Sequence, residues 1–143
     1  LIRRYGHASA ERVCCGQGLV DTCAILCEAD GVTAQGLDSA SAVSEAALQF
    51  GHPQALETLN IFCAMLGSVA GNLALTLGAR GGVYVGGGIV PRLGAWFDTS
   101  PFRERFDNKG RFTRLLQGMP VWVITSAQSP ALLGAARALD RHR

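Results

Sequence analysis

The stretch GGVYVGGGIVPR, residues 81–92, decides the architecture. Three strand-forming residues, Val83-Tyr84-Val85, stand between a glycine pair and a glycine triplet, and Pro91 then opens a helix. A second strand is expected in PVWVIT, residues 120–125, with helical segments between the two. Strands separated by helices imply a parallel pair joined by a crossover. Two strands make a poor sheet alone, so further strands are expected upstream of Leu1 or from another chain. At the C-terminal end of a parallel strand, bare backbone lets a ligand lie against the main chain. Gly86, Gly87 and Gly88 are the candidates for that contact, with tight strand–helix packing as the alternative. Pro91 takes the last place of a G-x-G-x-x-G pattern, and no Lys-Ser/Thr follows as a phosphate loop requires.

Working outward, the longest periodic segment runs from Pro53 to about Leu77. Its apolar stripe is Leu56, Leu59, Phe62, Cys63, Leu66, Ala70, Leu73 and Leu77, and Gly78 stands just past its end. Gly67 and Gly71 share one face of this helix. Each costs roughly 1 kcal/mol relative to alanine, so close approach of another backbone is expected there. Upstream, Ser9 is placed to cap a short helical turn ending at Gly16. A helix follows to about Ala29, and Ser41 is placed to cap another that stops at Gly51. Downstream, a helix is expected from Pro91 towards Phe97. Others are expected in SPFRERF (100–106), at Phe112–Leu116 and from Ser129-Pro130 onward. Trp96 and Trp122 are assigned to the core, and Val83–Val85 is read as a buried strand.

The 143 residues are 48% hydrophobic and 17% charged, with a net charge of +2. This composition suits one globular unit with a real core and excludes disorder. Charges of both signs are scattered, which does not suggest a nucleic-acid surface. Arg137, Arg141, His142 and Arg143 read as a solvated helix end. No uninterrupted apolar run approaches the roughly 20 residues that span a bilayer, and LIRRYGHASAERV is not a signal peptide. The chain begins without Met and is expected to be the cut end of a longer one. The five cysteines include no C-x-x-C, and Cys23 and Cys27 share a helix face. Reduced, buried thiols are expected rather than a metal site.

GHASAERVCCGQG, residues 6–18, is the second constellation. Glu11 lies in the first turn of a helix, beside His7 and Arg12. Its carboxylate could accept two hydroxyl hydrogen bonds from a sugar, or simply complement the helix dipole. The basic turn NKGRF, residues 108–112, suits an exposed loop or a phosphate contact, with Asp107 paired to Lys109 or Arg111 at the surface.

Taken together, SAERV (9–13), GGVYVGGGIVPR, FRERFDNKGRF (102–112) and PVWVI with SPALLGAARAL (129–139) resemble the C-terminal part of bacterial glucokinases, in order and over nearly the whole chain. The zinc-binding cysteine motif of the related repressor and kinase group is absent. The resemblance implies an α/β fold: a C-terminal lobe fragment of an actin-like (ribonuclease-H-like) sugar kinase, mostly helical with a small parallel sheet. Residues 1–143 would form a single unit, part of the large lobe. A non-catalytic association or regulatory module of the same descent is the alternative, and a dinucleotide-binding unit fits poorly.

The same resemblance implies ATP-dependent phosphorylation of glucose with Mg2+, a cytoplasmic setting and a homodimer, without a nucleic-acid or membrane partner. Glu11 matches a residue that hydrogen-bonds glucose hydroxyls. Gly86, Gly87, Gly88 and Ile89 match the adenosine motif, and Gly16 and Gly18 match a special turn after the sugar-binding helix. No catalytic residue is assigned within the chain. The D-x-G-G-T-x-x-R, G-T-G-L-G and E-G-G-H motifs, and the N-D-F segment with its Asp base, are expected upstream of Leu1.

Overall fold

In the computed structural model, which describes residues 1–126 and 128–140, two one-turn helices come first. They are α1 (Ile2–Tyr5) and α2 (Ala10–Val13), followed by α3 (Gly16–Ala29) and α4 (Ala40–Leu48). The long α5 (Pro53–Leu77) leads to β1 (Val83–Val85). Four short helices come next: α6 (Val90–Leu93), α7 (Trp96–Thr99), α8 (Phe102–Asp107) and α9 (Thr113–Gln117), the last preceded by a 3-10 turn at Gly110–Phe112. Strand β2 (Val121–Val123) and helix α10 (Pro130–Asp140) complete the order. Arg141, His142 and Arg143 lie outside the described residues, so the basic helix end expected there is represented by Arg137 alone.

The two strands pair in parallel, with Val83 opposite Val121, Tyr84 opposite Trp122 and Val85 opposite Val123. The crossover between them is helical, as the alternation of patterns required. Helix α5 is the spine. It begins with Pro53 behind a His52 cap, whose Nδ1 accepts from the Ala55 N–H, and stops at Gly78 in the left-handed conformation. Its inner face buries Ala55, Leu59, Phe62, Cys63, Ala70 and Ala74, packed mainly against α8, α4 and α3. By length and composition α5 could cross a membrane, because Ser, Asn, Thr and Gly interrupt its apolar run without lowering the mean hydropathy much. In this fold it is a core helix.

The glycines of α5 explain how α8 comes so close. A Cβ on Gly67 would overlap the carbonyl oxygen of Phe102, and one on Gly71 would stand 2.5 Å from that of Phe106. The absent side chains let Phe102 and Phe106 enter the core, where Phe102 also meets Phe97 at 4.9 Å between ring centroids. Arg103 then ties α8 to the turn that leads into β2. Its guanidinium donates to the carbonyls of Met119, Leu116 and Gln117 at 2.9, 2.8 and 3.1 Å. Through these bonds α8 sets the approach to the second strand.

Several local expectations are corrected. Gly16 does not end the first turn: Cys15 caps a new helix there, and its Sγ accepts from the Gly18 N–H. Ser39 rather than Ser41 caps α4, accepting from the Ala42 N–H at 3.1 Å, and α4 ends at Leu48. Gly94, with φ +55°, separates α6 from α7, so no continuous helix reaches Phe97. Only Val85 of β1 is buried. Trp122 is 42% exposed and stacks on exposed Tyr84 at 4.8 Å instead of filling the core, whereas Trp96 is half-buried against it. Asp107 pairs with Arg103 at 2.8 Å, one helical turn back, and not with Lys109 or Arg111. All five cysteines are free thiols, three of them buried.

Candidate functional site

The glycine-flanked strand has two different ends. Before β1, Gly82 has φ +106°, and a Cβ there would stand 2.5 Å from the Trp122 ring and 2.6 Å from the Pro120 carbonyl oxygen. Packing therefore requires it. After β1, Gly87 has φ +114°, a conformation side chains rarely adopt, but nothing lies within 4 Å of where its Cβ would be. Gly88 faces open space as well, and Gly86 would meet only the Ile124 Cδ1 at an ordinary 3.5 Å. All three are exposed. The main chain here is bare without any neighbour in the fold to account for it.

Two clefts adjoin this loop. One, about 410 Å³, is apolar and runs between α5 and β1, with Leu66, Leu73, Leu77, Tyr84 and Gly86 among its walls. The other, about 270 Å³, is of mixed polar and apolar lining and separates α4 from α6. Ser41, Ser44, Glu45 and Gln49 stand on one side, and Ile89 and Arg92 on the other. Sequence reading singled out Ile89 but missed the α4 residues. Their spacing, 41, 45 and 49 outside buried Val43 and Ala47, marked a polar face but not what it faced. A larger cleft, about 960 Å³, lies between α1 and α3 and holds none of the expected site residues.

Glu11 stands in the first turn of α2, exposed, behind Ser9, whose Oγ accepts from the Arg12 N–H at 3.2 Å. The helix that carries it is held on both sides. Gly18 of α3 is buried against it, and a Cβ there would stand 2.6 Å from the Val13 carbonyl oxygen. Gly16 and Gly18 are thus ordinary helical residues, Gly18 chosen for close packing, and not the special turn expected. On the outer side the Arg12 guanidinium lies 4.2 Å above the Tyr5 ring. The Tyr5 hydroxyl donates to Asp21 Oδ2 at 2.8 Å, and Gln17 donates to Oδ1 at 3.1 Å. Burial pushes the Asp21 carboxyl up, but these two hydrogen bonds and the charges of Arg4 and Arg12 outweigh it and hold the group below its usual range.

The structure does not place Glu11 and the glycine loop in one cleft. Helix α4 borders both regions: Gly16 approaches Ala40 at its start, and its polar face lines a cleft opposite Ile89 and Arg92 further on. In the basic turn at 108–112 the Lys109 ammonium is already engaged. Lys109 Nζ donates to the Ser68 carbonyl at 3.0 Å, and burial, with the nearby Arg105 charge, lowers its pKa. Among the described residues no three His, Cys, Asp or Glu side chains converge to hold a metal ion.

A family model for glucokinase matches residues 1–142. Glucokinase from Chromobacterium violaceum is 54% identical over 139 residues, which cover 97% of this chain and 39% of that protein. Glucokinase from Aromatoleum aromaticum is 51% identical over 140 residues, 98% of this chain and 42% of that protein. The crystal structure of a glucokinase from an Antarctic psychrotroph superposes with a TM-score of 0.83 at 37% identity, covering 98% of this chain and 43% of that one. The chain thus spans less than half the length of the relatives it matches.

Proposed function

The chain belongs to the glucokinase family, and from that premise we propose that it supplies part of the sugar site and the adenosine site of an ATP-dependent glucose kinase. The observation that carries this reading is the match over residues 1–142. The geometry supports it at two points. Glu11 presents a solvent-facing carboxylate from a helix fixed by Ser9, Gly18 and the Tyr5–Arg12–Asp21 cluster, as a group that accepts hydroxyl hydrogen bonds should be. Gly86–Gly88 leave a bare main-chain floor beside Tyr84, with Ile89 at its edge, on which an adenosine can rest.

In this reading the chain's residues bind and orient. Glu11 accepts from two glucose hydroxyls and so sets the direction of the sugar. The loop after β1 holds the nucleoside end of ATP. Positioning of this kind accounts for much of the rate in phosphoryl transfer. The base that takes the proton of the sugar hydroxyl, and the groups that cradle the phosphates, belong to the remainder of the large lobe and to the other lobe. Mg2+ accompanies ATP in such chemistry, but the acidic residues described here do not converge to hold it, so no step through this chain is assigned to it. A homodimeric assembly and a cytoplasmic setting go with the same proposal, the first to be checked by sedimentation.

The test is a coupled assay of the full-length protein with glucose and ATP. Glu11→Ala is expected to raise the KM for glucose about tenfold or more, the loss of hydrogen bonds to a charged acceptor, and to leave the KM for ATP near its starting value. An unchanged KM for glucose would remove Glu11 from the sugar site. The 143-residue chain alone is expected to be inactive, and turnover at an ordinary rate would overturn the assignment of the base elsewhere.

A further inference from the structure

Asp21 is a carboxylate only 5% exposed, and among the described residues it forms no ion pair. A charge so placed is costly unless hydrogen bonds compensate it. Its two hydrogen-bond partners differ. Gln17 lies one turn back on α3, but Tyr5 belongs to α1, 16 residues away. The Tyr5 ring in turn carries the Arg12 guanidinium at 4.2 Å. Resting on the reading of Glu11 as a sugar contact, we infer that Asp21 is a positioning residue for glucose, acting through Tyr5 and Arg12 on the turn that holds Glu11.

Helix α2 is a single turn of four residues, too short to keep its shape alone. Val13 is its one buried residue, and the Val13 carbonyl lies against Gly18 on the inner side. Arg12 over Tyr5 is the hold on the outer side. Glu11 makes no ion pair among the described residues, so the aim of its carboxylate follows the turn. Asp21 strengthens the outer hold in two ways. A phenol that donates to a carboxylate carries more negative charge in its ring, which attracts the guanidinium more strongly. The Asp21 charge also attracts Arg4 and Arg12 directly. Asparagine in its place could still accept from Tyr5 but would give up both effects.

The experiment is a double-mutant cycle in the full-length protein. Asp21→Asn and Tyr5→Phe are each expected to raise the KM for glucose about three- to tenfold, with kcat and the KM for ATP within about twofold, because the loss is one of sugar binding. Glu11→Ala is the second axis. Combined with it, neither change should raise the KM for glucose by more than about twofold further, since no carboxylate remains to be aimed. Each should still lower the melting temperature as it does alone. A merely structural role would add the same penalty to the KM for glucose in both backgrounds, and that result overturns the assignment. So does an unchanged KM for glucose in Asp21→Asn and Tyr5→Phe beside a raised one in Glu11→Ala, an outcome that leaves the sugar reading standing. An unchanged KM for glucose in Glu11→Ala removes the sugar reading and the inference with it. Tyr5→Phe keeps the ring under Arg12, so the cycle can be completed even where Asp21→Asn folds poorly.

Discussion

The Cα of Gly67 lies against the backbone carbonyl of Phe102, leaving no room for a methyl group. That contact lets α8 lie directly on α5 and insert two phenylalanines into the core. Gly67→Ala gains up to about 1 kcal/mol in helix propensity but forces a side chain into backbone, which shifts with difficulty. We expect a net loss of about 1–3 kcal/mol in urea denaturation. Gly134→Ala in exposed α10, with nothing within 4 Å, should instead gain about 0.5–1 kcal/mol. Equal effects at the two sites would refute the close-packing account.

Arg103 couples α8 to the approach of β2. One side chain serves three carbonyls and Asp107. Its Nη2 lies 2.8 Å from Asp107 Oδ1 as an ion pair, but its hydrogens are directed to carbonyls, so that oxygen accepts no hydrogen bond. Arg103→Met should cost about 2–3 kcal/mol, reflecting carbonyls left without donors. Arg103→Lys should recover little, because an ammonium cannot reproduce the planar fork. Full recovery by lysine in denaturant unfolding would reduce the role of Arg103 to its charge.

The Tyr5–Asp21 bond makes stability depend on pH at the acid end. Asp21 titrates lower in the folded chain than its ordinary value, so its contribution is present above the unfolded pKa and is lost as pH falls through the folded one. Tyr5→Phe removes the hydroxyl donor. Its melting temperature should lie below that of the unaltered protein at pH 7, and the two curves should converge once Asp21 is protonated. A constant offset down to the lowest pH would show that Tyr5 acts by packing alone. At the alkaline end the Tyr5 hydroxyl is raised, first by its bond to Asp21, so it holds its proton beyond its usual range. The interaction is fully present below the ordinary tyrosine pKa and is lost as pH rises through the raised one.

Gly82 and Gly87 both have positive φ, yet their substitution should read out differently. Gly82→Ala adds a clash with Pro120 and Trp122 to the backbone strain and should cost about 2–4 kcal/mol of stability. Gly87→Ala meets no neighbour and should cost only the strain, about 1 kcal/mol. Melting curves of the two variants, recorded without ligand, separate the packing glycine from the bare one.

Much of the architecture was legible before any coordinates. The bounds of α5, its proline start and glycine stop, the parallel pairing of the strand at 83–85 with one in 120–125, and the need for a backbone against Gly67 and Gly71 all come from periodicity and propensity. The misses are of another kind. Sequence spacing favoured Lys109 or Arg111 as the partner of Asp107, but the helical turn of α8 brings Arg103 to it, and Lys109 is drawn away to α5. Trp122 was assigned to the core on its size alone, yet strand alternation turns it outward with Tyr84.

By itself the sequence determined which segments are helix and strand, and the family the chain belongs to, because those are written in local periodicity and in contiguous motifs. Only the tertiary structure decided that Glu45 and Arg92 line one cleft, that Gly82 serves packing while Gly87 does not, and that α2 is pinned by Tyr5, Arg12 and Asp21. The physical reason is that such relations are distances between segments far apart along the chain. They are set by how the helices pack on α5, and no local pattern in one segment carries them.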